Sequence, residues 1–227
     1  MELLLLSVVR PTKMLFLSPI VFGLSLYVAV SYGYLYLVFT TMTEIFETQY
    51  GINARNVGLT YLGTGVGQLL ALVVFGAVSD PLLKRMAKGG EMKPEYRLPF
   101  LWVGAVLVPA GLLLYGWTAQ YKVHYMVPVI GTSLLGFGMI GTFMPITTYL
   151  VDAYTIYAAS AVAANTVLRS LGGAVLPLCG TQMYDRLGLG WGNSLLAFIS
   201  LAMTPMIWVF LRYGESIRKH PRFQLQL

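Results

Sequence analysis

Residues 146–192, ITTYLVDAYTIYAASAVAANTVLRSLGGAVLPLCGTQMYDRLGLGWG, decide how the rest of the chain is read. One long apolar run ends at Asp152, a second begins almost at once, and Arg169 falls near the middle of the second. A lone arginine at that depth of a bilayer costs about 2.5–3.5 kcal/mol on insertion scales, so it marks either a functional position or an anchor of the bundle. Small residues surround it: Ala158, Ala159, Ser160, Ala161, Ala163 and Ala164 before, Gly172, Gly173 and Ala174 after. Such a surface lets a neighbouring helix come close. Asn165 and Gly173 stand one turn to either side of Arg169 and share its face.

Working outward, the composition fits a membrane protein. Of 227 residues, 57% are hydrophobic and only 11% charged, where a soluble domain carries about 25% charge. The mean hydropathy is +0.70. Apolar segments are expected at about 15–42, 54–79, 98–118, 125–151, 155–182 and 190–212, each long enough to cross the hydrocarbon. Trp102 and Trp117 bracket the third segment, Trp191 and Trp208 the sixth. At 1.5 Å per residue the pairs stand roughly 22–26 Å apart, close to the hydrocarbon thickness. The expected architecture is an all-α integral membrane bundle of six transmembrane helices over 15–212. A segment of 1–14 precedes it, a loop of about 80–97 interrupts it, and a tail of 213–227 follows. Glu2 and the short apolar run 3–6 are not expected to form a cleaved leader.

Apart from Arg169, the basic residues behind the net charge of +6 lie in the connections. Arg10 and Lys13, then Lys84, Arg85, Lys88, Lys93 and Arg97, and then Arg212, Arg218, Lys219 and Arg222 lie on one side of six spans. Only Arg55, Lys122 and Arg186 lie on the other. The positive-inside rule then makes both termini cytoplasmic and gives the basic loops anionic lipid, not nucleic acid, as their partner. The lone Cys179 permits no disulfide within the chain. Metal-ligand clusters, nucleophile–base pairs and phosphate loops do not occur in the sequence. His124 and His220 fall in connections, so neither an enzyme nor a bound cofactor is expected.

Within the spans, Gly63, Gly67 and Ala71 form a small-residue ridge suited to helix packing, with Gln68 beside it, either hydrogen-bonding a substrate or bonded to another helix. The first span is rich in tyrosine. Tyr32 and Tyr36 stack at i, i+4 and are candidates for a cavity wall offering flat apolar faces and hydroxyls, and Phe39 follows them. Pro145 makes the fourth span either a hinge or simply a bent helix.

Residues 76–85 read GAVSDPLLKR. The stretch resembles the loop motif of the major facilitator superfamily, G-x-x-x-D-R-x-G-R-R. Gly76, Asp80, Lys84 and Arg85 match it, and Pro81 and Leu83 replace its Arg and Gly. YLVDAY, ASAVAANTVLRSLGGAVLPL, MYDRLGLGWGNSLLAF and RYGESIR resemble the last three spans of fungal twelve-span drug:proton antiporters. RPTKMLFLSPIVFGLSLYVAVSYGYLYL resembles their seventh span. The resemblance covers nearly the whole chain. It implies half of a transporter, two inverted three-helix repeats, with a cavity lined by the first, second, fourth and fifth spans. It also implies plasma-membrane efflux of drug- or polyamine-type small molecules by proton antiport, and a conformational role for Gly76, Asp80, Lys84 and Arg85. Candidate substrate-binding residues are Tyr32, Tyr36, Gln68, Asn165 and Arg169. The expected partners are membrane lipid, a small-molecule substrate, and the missing N-terminal half or a second copy of the chain. The competing expectation is a membrane fragment that transports nothing by itself.

Overall fold

The computed structural model describes residues 2–87 and 93–219. Lys88, His220, Arg222 and the end of the expected tail lie outside the described residues. Seven α-helices follow in order: α1 (Glu2–Leu17), α2 (Pro19–Tyr50), α3 (Ala54–Ala87), α4 (Leu101–Gln120), α5 (Met126–Tyr154), α6 (Ala158–Leu178) and α7 (Gly180–Lys219). Short 3-10 turns at Pro94–Phe100 and Thr155–Tyr157 precede α4 and α6. The stretches Pro19–Tyr50, Arg55–Ala87, Pro94–Gln120, Met126–Leu178 and Gly180–Arg218 are long and apolar enough to cross a membrane. The fourth of these folds as two helices, α5 and α6, which restores the six spans.

Several ends differ from the hydropathy reading, each for a local reason. The first span starts at Pro19 instead of Leu15. Ser18 takes an extended backbone there, its Oγ accepts from the Val21 N–H at 3.4 Å, and Pro19 occupies the first turn. The preceding helix α1 still packs inward: Met14 is fully buried against Ile20 and Leu24. Helix α2 runs past the apolar stretch to Gly51, whose left-handed φ of 63° closes it with N–H bonds to Glu47 and Phe46.

Helix α3 likewise continues through Asp80 to Ala87 where a loop was expected. Leucine at 83 removes the glycine that would turn the chain, and its buried side chain rewards the extra helical turns. Asp80, Lys84 and Arg85 therefore sit on the end of a helix. Helix α6 ends at Leu178 with Pro177 in its last turn, and α7 breaks at Gly188, with φ 73° and ψ 170°. Arg169 is thus about 14 Å from one end of α6 and about 16 Å from the other, still near its middle. Helix α5 stays unbroken through Pro145.

The packing order is that of two interlocked triples. The first helix of one triple (α2) lies on the second helix of the other (α6), and reciprocally α5 lies on α3. The two third helices, α4 and α7, lie on each other. Glycines permit these crossings. A Cβ on Gly172 would drive into the Ala29 backbone carbonyl of α2, and one on Gly67 into the Ser133 carbonyl of α5. The Ser133 hydroxyl seals the second crossing by donating to the Gly63 carbonyl at 2.6 Å. The ridge of Gly63, Gly67 and fully buried Ala71 is therefore a packing surface against α5.

Candidate functional site

Arg169 projects from α6 toward α2 and α5 instead of pairing with an acid. Its guanidinium carbon lies 4.8 Å from the Tyr32 ring centre and 5.0 Å from that of Phe143. The π faces of two rings on two other helices supply partial negative charge where the described residues place no carboxylate. Phe143 was not legible as a partner of Arg169, because it lies on another helix and carries no polar mark in the sequence.

The rings continue in one direction. Tyr32 and Tyr36 have centroids 4.8 Å apart, and the Tyr32 hydroxyl donates to that of Tyr36 at 3.2 Å. Tyr36 meets Phe39 at 6.3 Å, and Phe39 meets Tyr61 of α3 at 5.5 Å. Tyr61 is fixed by its hydroxyl, 2.9 Å from the Phe39 carbonyl and 2.9 Å from Thr43 Oγ1. The result is a strip of aromatic surface from α5 and α6 across α2 to α3. Gly173 keeps it clear: a Cβ there would lie 3.1 Å from Tyr32 Cδ1. Tyr36 is 40% exposed, so the strip opens outward.

Asn165 lies one turn from Arg169 but is 1% exposed, and neither its Nδ2 nor its Oδ1 has a partner. The Nε of Arg169 is also buried without an acceptor. Buried polar groups are usually satisfied; others in this bundle also lack a partner, among them the Tyr27, Tyr34 and Tyr115 hydroxyls, but here a cation and an amide do so one turn apart. Gln68 does not join them: it packs beside Gly136 in the α3–α5 crossing.

A second constellation lies at the end of the bundle that carries Asp80. Arg97, in the turn before α4, places Nε 2.5 Å from Asp152 of α5 and Nη1 3.0 Å from Ser79 and 3.3 Å from Asp80 of α3. Asp80 thus meets Arg97, while Lys84 and Arg85, the basic members of the same motif, are exposed on the same helix end. Nearby, Lys93 bonds Glu215 at 2.6 Å and Arg218 bonds buried Glu95 at 3.1 Å, fastening this turn to the end of α7. The hydrogen bond to the Glu215 carboxylate raises the Lys93 pKa above its ordinary value. Gly76 faces open space, with nothing within 4 Å of where a Cβ would be.

Against known proteins, residues 4–177 match the family model described as Major Facilitator Superfamily. The chain is 62% identical over 225 residues to the MFS-type transporter penM of Penicillium rubens, covering 99% of this chain and 44% of that protein. It is 57% identical to the MFS-type transporter tndD of Aspergillus flavipes, over 94% of this chain and 41% of that one. It is 48% identical to the efflux pump radE of Floropilus chiversii, over 99% and 42%. The chain therefore spans less than half the length of these curated relatives. No solved structure matches it.

Proposed function

The chain belongs to the major facilitator superfamily, and from that premise we propose that it is the C-terminal half of a proton-coupled exporter of small, drug-like molecules. The observation that carries the reading is Arg169 between Tyr32 and Phe143, at the head of an outward-opening aromatic strip shared by four helices. In this architecture the substrate lies between two six-helix halves that rock about it. Tyr32, Tyr36, Asn165 and Arg169 then contact the substrate, while Gln68 serves the α3–α5 crossing. Of the drug-like and polyamine cargoes the resemblance implies, flat aromatic surface favours the first.

Further parts of the reading follow from the same premise. Both termini face the cytoplasm, where basic connections meet anionic lipid, and the plasma membrane is the site of action. Asp80, with Arg97 and Asp152, holds one conformation at the cytoplasmic end, and Gly76, Lys84 and Arg85 face the other half. The protein moves its substrate without chemical change and is not an enzyme. Transport needs a second set of six spans, supplied by an N-terminal half or a second copy. The greater length of the relatives also favours a second reading, in which these residues alone transport nothing.

An efflux-deficient yeast separates the readings. The chain is expressed alone and together with the N-terminal half of the Penicillium rubens relative, and retention of a fluorescent aromatic dye is measured. Retention restored to the pump-less level by Arg169→Ala supports the export reading. Equal retention with and without an intact chain, in both settings, overturns it.

A further inference from the structure

An exporter recognises its cargo with groups that its own fold leaves unsatisfied, and here such groups converge. The Arg169 guanidinium lies over the ring faces of Tyr32 and Phe143, neither of which offers its N–H groups a lone-pair acceptor. Its Nε is buried and unpaired, and both amide atoms of Asn165, itself 1% exposed, are unpaired one turn away. Among the described residues the acids are engaged or lie elsewhere. Glu95, Asp80, Asp152 and Glu215 hold Arg218, Arg97 and Lys93 at one end of the bundle. Glu44 and Asp185 line a separate polar cavity with Thr41 and Tyr184. Among the described residues, then, no acid neutralises the positive charge at the head of the strip.

We infer that the site is selective for organic anions, in particular flat aromatic carboxylates. The carboxylate accepts from the N–H edge of Arg169 and from Asn165 Nδ2, and the aromatic body lies along Tyr32, Tyr36, Phe39 and Tyr61. Planar guanidinium and planar carboxylate match in geometry as well as charge, whereas a cationic cargo meets like charge in a poorly solvated place. Asn165 Oδ1 adds an acceptor for a hydroxyl beside the carboxylate. This inference rests on the export reading of the same face and narrows it, setting polyamines aside.

The test uses three probes of one shape and different charge: 2-naphthoate, 2-naphthylmethanol and 2-naphthylmethylammonium. Equilibrium binding is measured on membranes from yeast coexpressing the chain with the N-terminal half of the Penicillium rubens relative, with membranes carrying that half alone subtracted. Naphthoate is expected to bind about tenfold or more tighter than either analogue. Arg169→Gln is expected to bring the three within about twofold, and Arg169→Lys to keep the order of preference at weaker affinity. Asn165→Leu, which retains the charge, is expected to weaken naphthoate alone, by about three- to tenfold. Equal or tighter binding of the ammonium probe overturns the inference. So does a naphthoate preference that survives Arg169→Gln, or no naphthoate binding to membranes in which the chain is present. Dye efflux that depends on the chain but ignores probe charge would leave the export reading standing and remove this one. Charge-selective binding without any efflux would do the reverse.

Discussion

The guanidinium of Arg169 on α6 lies 4.8 Å from the ring centre of Tyr32 on α2, and the crossing of those helices is close because Gly172 offers no Cβ to the Ala29 carbonyl. Packing and charge are therefore one problem at this point. Bringing the backbones together delivers an aromatic face to a cation that would otherwise be bare at mid-membrane.

Replacement of Arg169 tests that relationship. Arg169→Ala removes the charge and the stacking at once and is expected to abolish transport by the complete protein. Arg169→Lys is expected to retain little, since a compact ammonium reproduces neither the planar fork nor its stacking. Radiolabelled substrate efflux with matched surface expression reads both. Transport by Arg169→Ala within about twofold of wild type would mean that the side chain reaches water and serves no substrate.

Gly172→Ala probes the crossing itself. The added methyl collides with backbone, which cannot swing aside, so a loss of about 1–3 kcal/mol is expected. Gly65→Ala is the matched control, because nothing lies within 4 Å of its Cβ position and alanine favours a helix. Thermal midpoints in mild detergent should fall for the first and hold or rise for the second. Equal midpoints would show that α2 and α6 are not held at this distance.

At the opposite constellation, Arg97 lies 2.5 Å from Asp152 and 3.3 Å from Asp80, with Asp80 71% exposed. Double-substitution cycles with Arg97→Met should give a coupling of about 1–3 kcal/mol with Asp152→Asn. With Asp80→Asn the coupling should stay under about 0.5 kcal/mol. Asp80→Asn is nevertheless expected to slow transport while the protein stays in the membrane, because its proposed role is conformational. Transport unchanged by Asp80→Asn would reduce Asp80 to a surface charge.

Much of this was legible before the fold was known. Apolar length marked the spans, the Gly63–Gly67–Ala71 spacing marked a packing ridge without naming its partner, and Arg169 stood out because charge in hydrocarbon is costly. Residues that act through tertiary convergence were not legible. Arg97 looked like one more basic loop residue until the ends of α3 and α5 were brought around it. Phe143 and Tyr61 were ordinary aromatics of apolar spans, and only the arrangement of helices aligns them with Tyr32. The contact of Asp80 with Arg97 was not legible either, because spacing along α3 does not reveal a partner arriving from another segment.

The open face of the bundle supports a last prediction. On α2, Tyr36, Thr40 and Thr43 are exposed, and on α6 Thr166 and Ser170 are exposed beside the aromatic strip. Most of these hydroxyls already bond within the bundle, Tyr36 to Tyr32, Thr43 to Tyr61, and Thr40 and Thr166 to carbonyls of their own helices, so what makes this surface unsuited to lipid is the Arg169 charge at its head. Helix α3, by contrast, exposes side chains that lipid accepts, such as Leu62, Leu69 and Val73. The polar face therefore needs water, substrate or another six-helix unit. Extracted in mild detergent, the chain alone is expected to dimerise or aggregate, and coexpression of an N-terminal half should convert it to a stable complex of one copy of each. Size-exclusion chromatography with light scattering reads the outcome. A monodisperse, heat-resistant monomer would count against a half that requires a partner.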